Sequence, residues 1–307
     1  LNTGRIRDQW HTMTRTGQAP ALWRHAPEPF VEIHPADAEA VGVQEGALTR
    51  VTTARGEAVV LACVTDRQRV GSVFVPMHWT EGFAPSGQAN PLVAAQVDPR
   101  SGQPEFKHTP ARVRPYRETW RGFHISREAV APPAHLDLVW RRIPQEGCHL
   151  HEFAGRGDLE QRDALAKLLL RGAAGGALRY EDPAAGSLRE AFMNGERLDR
   201  VLFTTTSGTL PPRAWLAELF TAESLTAQDR AALLIGRAPG RAAETSPVVC
   251  ACRNVRAAVI ARAIEAGACD VDAVSDATGA GSSCGSCRPE IARILSATPR
   301  TEILDAA

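Results

Sequence analysis

Four cysteines near the C-terminal end constrain what this chain can fold into more than any other feature. They form two close pairs, Cys250-Ala251-Cys252 and Cys284-Gly285-Ser286-Cys287, with 31 residues between the pairs. Two close pairs, each on a turn, allow a chain to hold four thiolates around an inorganic centre. A common zinc ribbon uses two C-x2-C pairs with a shorter gap, whereas this spacing suits a 2Fe-2S cluster. The pattern therefore favours a 2Fe-2S cluster, and a zinc site is the alternative.

The residues around both pairs predict short helices that begin next to the cysteine loops. Asn254 is placed to cap a helix from Val255 to Ala266 that Gly267 ends, and a second helix fits Val271 to Thr278. A last helix is predicted from Pro289 through Leu295. Backbone N–H groups at helix N-termini stabilise an anionic four-thiolate centre. The segment thus predicts a small helical domain built around the cluster.

Two stretches of this segment, CACRNV from Cys250 to Val255 and GSSCGSCRPE from Gly281 to Glu290, resemble the bacterioferritin-associated ferredoxin-like (BFD-like) 2Fe-2S domain. The resemblance implies four cluster ligands, which are Cys250, Cys252, Cys284 and Cys287. The other three cysteines, Cys63, Cys148 and Cys269, stand alone and are predicted to be small, buried apolar residues.

Length and charge limit the remaining possibilities. The 307 residues predict two or three domains. A formal net charge of zero gives a nucleic-acid partner no global electrostatic support, and no run of apolar residues is long enough to predict a membrane span. The chain opens with Leu1 and has neither an initiator Met nor a signal peptide, so we expect it to be the C-terminal part of a longer protein.

The first 115 residues predict a β-barrel domain. Short stretches rich in β-branched residues, Phe30 to Ile33, Leu48 to Thr52 and Ala58 to Val64, alternate with glycine-containing turns. The lone helix candidate runs from Ala36 to Val41 and stops at Gly42. Many short strands at turn spacing favour a closed barrel over a doubly wound sheet.

The N-terminal loop of this domain carries polar side chains without an apolar period. Arg5 and Arg15 could donate forked hydrogen bonds to a pyrophosphate, and Thr12 and Thr14 could add hydroxyl donors. Taken alone, the loop is equally consistent with a solvated surface.

A series of motifs favours the ligand-binding interpretation of this loop: TGR at 3–5, WHT at 10–12, EIHPADA at 32–38, RG at 55–56, GSVFVP at 71–76, Asn90 and DPRS at 98–101 with Lys107. In this order they resemble the C-terminal molybdopterin-dinucleotide-binding domain of bacterial nitrate reductases. The resemblance implies a double-psi β-barrel that closes over a Mo-bis(molybdopterin guanine dinucleotide) cofactor. The implied cofactor contacts are Thr3, Gly4, Arg5, Trp10, His11, Thr12, Thr14, Asn90 and Lys107. Met77 would lie near the substrate, while His78 and Trp79 could shape the same edge or belong to the core.

Residues 116–245 predict an α+β spacer domain, because alternating strand patterns, including His149 to Phe153, mix with helical spacing from Leu159 to Leu170. His149, His151 and Glu152 resemble a metal triplet, but alternate residues on any strand share a face, so a structural role is the expected one. The position of the spacer suggests that it docks the domain of residues 246–307.

A pterin barrel followed in one chain by a BFD-like domain resembles the assimilatory nitrate reductase large subunit. The resemblance implies cytoplasmic reduction of nitrate to nitrite, with electrons from a flavoprotein, an NADH-dependent reductase subunit or a ferredoxin. It also implies that the molybdenum ligand and a 4Fe-4S cluster lie before residue 1. No residue is therefore nominated as catalytic, and this chain is not expected to turn over alone. Two alternatives stay open: a formate dehydrogenase-like molybdopterin oxidoreductase, and a zinc-stabilised, non-enzymatic interaction module.

Overall fold

The computed structural model describes residues 1–132, 135–172, 176–240 and 246–298. These residues form two compact units. The first unit contains Leu1–Arg5, Trp10–Gln18 and the described residues between 28 and 240, and the second contains Ile6–Gln9, Ala19–Pro27 and the described residues from 246 onward. The predicted domain boundary at 245/246 borders residues outside the described part, and the three-domain division stays a prediction.

A mixed six-stranded sheet forms the N-terminal part of the first unit. Its strands are β1 (Asn2–Gly4), β2 (Phe30–Ile33), β3 (Leu48–Thr52), β4 (Glu57–Val64), β5 (Val73–Pro76) and β6 (Arg112–Pro115), in the order β1-β5-β2-β4-β3-β6. The predicted strands are confirmed, because their β-branched side chains, such as those of Val31, Val51 and Val60, fill the core. The double-psi barrel stays a prediction.

Helix α1 (Pro35–Val41) follows β2 and is close to its predicted position. The His34 side chain caps it by accepting a hydrogen bond from the Ala36 amide. Gly42 ends the helix in the left-handed region at φ 71°, a conformation that costs glycine little.

An antiparallel six-stranded sheet forms the middle of the chain. Its strands are β7 (Trp120–Ser126), β8 (Leu138–Gln145), β9 (Cys148–Gly155), β10 (Ala177–Asp182), β11 (Ser187–Asn194) and β12 (Arg197–Thr205), in the order β10-β11-β12-β7-β9-β8. Helices α2 (Leu159–Leu169), α3 (Arg213–Glu218) and α4 (Ala227–Ala232) accompany it. Trp120, Phe153 and Leu165 form a core between this sheet and α2.

The second unit contains a two-stranded ribbon of β13 (Val248–Cys250) and β14 (Val255–Arg256) and the helices α5 (Ala257–Glu265), α6 (Val271–Thr278) and α7 (Arg288–Ala297). Val249, Ile260, Val274 and Ile291 make its core. The expectation that Asn254 caps the first helix is wrong: Asn254 has φ 53°, and Val255 and Arg256 pair with β13 before the helix begins.

The isolated cysteines differ in exposure. Cys148 is buried, as predicted, and Cys63 is half-buried. Cys269 is exposed, so its predicted burial is wrong. In the described part of the chain, no helix combines the length and the apolar character that crossing a membrane requires.

Candidate functional site

The four cysteines of the two close pairs come together at one end of the second unit. Cys250 ends β13, Cys252 lies in the turn to β14, Cys284 lies in the loop after α6, and Cys287 precedes α7. The Sγ atoms of Cys250 and Cys252 are 3.7 Å apart, and those of Cys252 and Cys284 are 3.6 Å apart. The fold therefore joins the two pairs across the 31 residues that separate them in sequence.

Glycines make the second cysteine loop tight enough for this arrangement. Gly281 and Gly285 have φ values of 82° and 74°, which side chains with a Cβ rarely adopt. A Cβ on Gly281 would also lie 3.0 Å from the Ser275 Oγ. Gly281 is thus required both by its backbone conformation and by its neighbours.

Backbone and hydroxyl donors surround two of the thiols. Burial acts to raise the pKa of Cys250, but hydrogen bonds from the backbone N–H groups of Gly281 and Arg253 bring it below its ordinary value. The Ser286 hydroxyl and amide lower the pKa of Cys284. Donors of this kind stabilise thiolates, the form that binds metal.

The other two thiols are held in less polar surroundings. Burial raises the pKa of Cys252, and it raises the pKa of Cys287 to about 11. Metal binding must therefore displace a proton from these groups.

This donor set suits an iron–sulfur cluster. Four thiols in two adjoining pairs, with amide donors directed at sulfur, are the groups that hold such clusters in proteins. Among the described residues, no three His, Cys, Asp or Glu side chains converge on the position of a single metal ion. An iron–sulfur cluster binds its thiolates on more than one iron atom, so four cysteines arranged in two pairs fit it.

A polar network from the N-terminal segments of the second unit packs against the cysteine loops. The Ser286 hydroxyl donates to the Asp8 carboxylate at 2.8 Å, and His25 lies 3.0 Å from the same carboxylate. Although burial opposes it, the hydrogen bonds from His25 and Ser286 lower the pKa of Asp8.

Two arginines extend this network. Arg7 pairs with Glu290 of α7 at 2.9 Å and also donates to the carbonyl of Val249. Arg24 donates to the carbonyl of Ala251, within the first cysteine pair, at 3.4 Å. Sequence reasoning missed this network because its members lie more than two hundred positions from the cysteines, as the separation of 242 between Arg7 and Val249 shows.

The structure brings three of the predicted cofactor contacts together at β1. Thr3 is buried, and its amide donates to the Phe106 carbonyl at 3.0 Å. The ammonium group of Lys107 donates to the Thr3 carbonyl at 2.5 Å, and Gly4 lies directly beside it. The Met77 amide donates to the Gly4 carbonyl at 2.9 Å, which places Met77 next to the same strand.

In the loop after β1, ring interactions hold three further predicted contacts next to one another, namely Arg5, Trp10 and His11. The Arg5 guanidinium lies over the Trp10 ring at 5.3 Å, and the Trp10 and His11 rings meet edge to face at 4.9 Å. His78 is fully buried, and its Nδ1 is 2.6 Å from the His11 carbonyl oxygen. The buried His78 side chain therefore holds the loop in place at the His11 carbonyl.

The remaining predicted contacts lie at two other places in the first unit. Thr12 and Thr14 line a cavity of about 330 Å³ together with Arg142 and His149. Asn90 is exposed at the start of a 3-10 turn, and its carbonyl accepts a hydrogen bond from the Val93 amide.

The suspected metal triplet on β9 does not converge on one point. His151 is buried, and its Nε2 accepts a hydrogen bond from the Val130 amide. Glu152 points to the opposite face, where Arg141 and Arg213 each contact it at 2.8 Å. The structural role expected for His151 and Glu152 agrees with this arrangement.

Comparison with known families assigns both ends of the chain. Residues 1–110 match the "Molydopterin dinucleotide binding domain", and residues 248–297 match the "BFD-like [2Fe-2S] binding domain". The chain thus combines a molybdopterin-dinucleotide domain with a 2Fe-2S domain, as its motifs implied.

The relatives of this chain include nitrate reductases. It is 38% identical over 297 residues to a nitrate reductase of Klebsiella oxytoca, an alignment that covers 97% of this chain and 34% of that protein. It is 33% identical over 177 residues to a nitrate reductase of Shewanella frigidimarina, covering 52% of this chain and 19% of that protein. An F420-dependent formate dehydrogenase 1 subunit alpha of Methanococcus maripaludis is 40% identical over 113 residues, or 37% of this chain and 16% of that protein. The chain therefore spans about a third of the length of its Klebsiella relative.

Proposed function

We propose that this chain is the C-terminal part of an assimilatory nitrate reductase, in which residues 1–115 close a double-psi barrel over a Mo-bis(molybdopterin guanine dinucleotide) cofactor and the terminal domain relays electrons through a 2Fe-2S cluster. The observation that carries the proposal is the convergence of both cysteine pairs in a chain that aligns over 97% of its length with a nitrate reductase.

The extent of the alignments favours nitrate over formate as the substrate. The formate dehydrogenase relative aligns with 37% of the chain, whereas the Klebsiella relative aligns with 97%. The Klebsiella alignment includes the middle sheet and the cysteine pairs together with the pterin domain, whereas an alignment over 37% of the chain cannot include all three.

The residues of the chain have separate tasks in this function. When bound, the molybdenum cofactor supplies the two-electron chemistry of nitrate reduction and the cluster supplies one-electron transfer. Cys250, Cys252, Cys284 and Cys287 would hold the cluster, and the Gly281 amide would donate to its ligand sulfur. Thr3, Gly4 and Lys107 would form one edge of the dinucleotide site, together with Arg5, Trp10, His11, Thr12, Thr14 and Asn90.

The setting of the enzyme follows from the same resemblance. We infer a cytoplasmic protein that receives electrons from a flavoprotein, an NADH-dependent reductase subunit or a ferredoxin. We assign a further 4Fe-4S cluster and the molybdenum ligand to the part of such an enzyme that this chain does not span, and this chain by itself is not expected to reduce nitrate. Met77 is proposed to lie beside the substrate because it adjoins Gly4.

Metal analysis of the 307-residue chain, purified without oxygen, tests the cluster. We expect about two irons and about two sulfides per chain and a rhombic EPR signal after dithionite reduction. One zinc and no iron in such a sample would contradict the electron relay and favour the zinc-stabilised module.

A substitution in the full-length enzyme tests the relay. Cys284→Ser should abolish nitrate reduction with the physiological donor, while a small dye that reduces molybdenum directly should still support it. Cys269→Ser, at an exposed cysteine outside the two pairs, is the matched control and should leave both activities unchanged. Equal loss with both donors for Cys284→Ser would show that the cluster domain is structural.

A further inference from the structure

A cavity in the first unit combines the pterin-domain loop with the middle sheet. It measures about 330 Å³, and its polar lining consists of Thr12, Thr14, Gln18, Thr80, Arg142 and His149. The threonines at 12 and 14 belong to the matched pterin domain, whereas Arg142 on β8 and His149 on β9 lie outside it. The site therefore contains residues that the family comparison does not assign.

The register of the middle sheet directs Arg142 and His149 to the same face. Pro144 pairs directly with His149 across β8 and β9, and Arg142 lies two residues before Pro144. Residues at alternate positions share a face, so the guanidinium and the imidazole are neighbours. The Arg142 amide also donates to the Phe83 carbonyl at 2.7 Å, and its guanidinium lies 4.9 Å from the centre of the Phe83 ring.

Arg142 carries a positive charge that pairs with no acidic side chain in the described part of the chain. Its Nε is buried without a hydrogen-bond partner, and it makes no ion pair with any residue that the structure describes. Burial lowers its pKa. Among the described residues that line the cavity, none is acidic. Arg142 is half-buried, so its unpaired charge is partly withdrawn from water, and a bound anion would compensate it.

His149 adds a second unused polar atom. Its Nδ1 is buried without a partner among the described residues. Burial, and then the charge of Arg142, lower its pKa, so that the ring stays neutral near pH 7 and has one N–H to donate. Together with the hydroxyls of Thr12 and Thr14, the cavity offers charged and neutral donors from two sides.

We propose that Arg142 and His149 of the middle sheet complete, with Thr12 and Thr14, an oxyanion site that binds a phosphoryl group of the pterin guanine dinucleotide. The inference rests on the molybdopterin part of the proposed function and not on the identity of the substrate. Forked guanidinium donors and hydroxyls are the groups that recognise phosphate oxygens. The middle sheet is then part of the cofactor site as well as a spacer.

Binding of GDP and inorganic pyrophosphate to the 307-residue chain, measured by calorimetry, tests this site. Arg142→Gln should weaken both by about tenfold, the loss expected for one charge-assisted hydrogen bond, and His149→Gln should weaken them by less. Arg67→Gln is the matched control, because Arg67 is 56% exposed and pairs with Glu32 outside the cavity. Binding unchanged within about twofold in Arg142→Gln, or no binding of GDP to the unaltered chain, would overturn the proposal.

Two further measurements keep the result unambiguous. In the unaltered chain, the NMR signal of the Arg142 Nε–H should shift when GDP is added, which requires no variant to fold. Nitrate should not displace GDP; displacement at equal concentration would assign the cavity to the substrate and overturn the phosphoryl proposal. Neither readout depends on nitrate turnover or on iron content. A failure of the phosphoryl proposal can therefore be distinguished from a failure of the proposed function.

Discussion

At the scale of single residues, the first unit contains a buried ion network. Arg141 contacts both Glu28 and Glu152, and Arg213 contacts Glu152 from the other side. Burial raises the pKa of Glu28, which the charge of Arg141 opposes. Removing one member of such a network leaves buried charges without partners, which is more harmful than replacing the whole network.

Arg141→Gln is therefore expected to lower the free energy of unfolding by about 3 kcal/mol, because two carboxylates lose their shared cation. Urea unfolding followed by tryptophan fluorescence measures this change. Arg50→Gln is the control, since the half-buried Arg50 pairs with a single, exposed carboxylate, that of Glu57, and the expected change there is below about 1 kcal/mol. Similar effects of both variants would show that the network adds no more than a surface pair.

A second prediction at this scale concerns His151, whose pKa burial lowers to about 3 from its ordinary 6.5. As the pH falls, the imidazole of His151 is protonated in the unfolded chain before it is protonated in the folded chain. This group therefore leaves the free energy of unfolding unchanged above pH 6.5 and lowers it progressively between pH 6.5 and about 3. The total loss for this group is about 5 kcal/mol.

Unfolding free energies measured at several pH values between about 7 and about 4.5 should therefore fall less steeply for His151→Gln than for the unaltered chain. His108→Gln, at an exposed position, should keep the original slope. Equal slopes for all three proteins would exclude His151 as a source of the acid sensitivity.

At the scale of elements, close approach between strands decides which residue the middle sheet accepts. Gly122 lies on β7, between β12 and β9, and a Cβ there would be 2.5 Å from the Phe203 carbonyl oxygen. Since that atom is backbone, the neighbouring strand would have to move. Gly176, which precedes β10, has open space around the same position.

Gly122→Ala should consequently destabilise the protein by about 2 kcal/mol, as overpacking in a core does, whereas Gly176→Ala should change stability by less than about 0.5 kcal/mol. Thermal unfolding monitored by circular dichroism compares the two. An unchanged melting temperature for Gly122→Ala would show that the two strands can separate without cost.

The elements also show what sequence could predict. Strands with buried β-branched side chains, such as β2 and β3, were predictable because alternation reports burial. The hairpin of β10 and β11 was not predicted, because β10 is almost entirely exposed and its position depends on pairing with β11. The helix after Asn254 starts later than predicted because a left-handed turn and a strand pairing override the capping preference.

The residues of the candidate site also divide into those that sequence could predict and those that it could not. The cysteine pairs could be singled out from sequence, because two close pairs separated by 31 residues favour four thiols around one inorganic centre. Arg142 and His149 could not be assigned, since their significance depends on strand register and on the absence of an acidic partner among the described residues. Neither property is visible in a local pattern.

At the scale of the whole molecule, the cluster unit depends on segments from both ends of the chain. The hydrogen bond between Ser286 and Asp8 joins residues 278 positions apart.

Asp8→Ala should leave Ser286 and His25 without their acceptor and lower the stability of the second unit by about 2 kcal/mol, seen as a lower temperature for loss of the visible cluster absorbance. Asp272→Ala is the control, because Asp272 pairs with Arg288 while being 80% exposed. Equal temperatures for the two variants would show that the N-terminal network does not stabilise the cluster unit.

This discontinuity also sets an order of events during synthesis. Residues 6–9 and 19–27 are made before their partners around Cys250 and Cys284, because the residues that hydrogen-bond lie 227 and 278 positions apart in the chain. Contacts between such distant positions form late, because a long loop must close first. The second unit therefore stays incomplete until the segment from residue 246 onward has been made, and we expect iron–sulfur assembly to follow the synthesis of both of its parts.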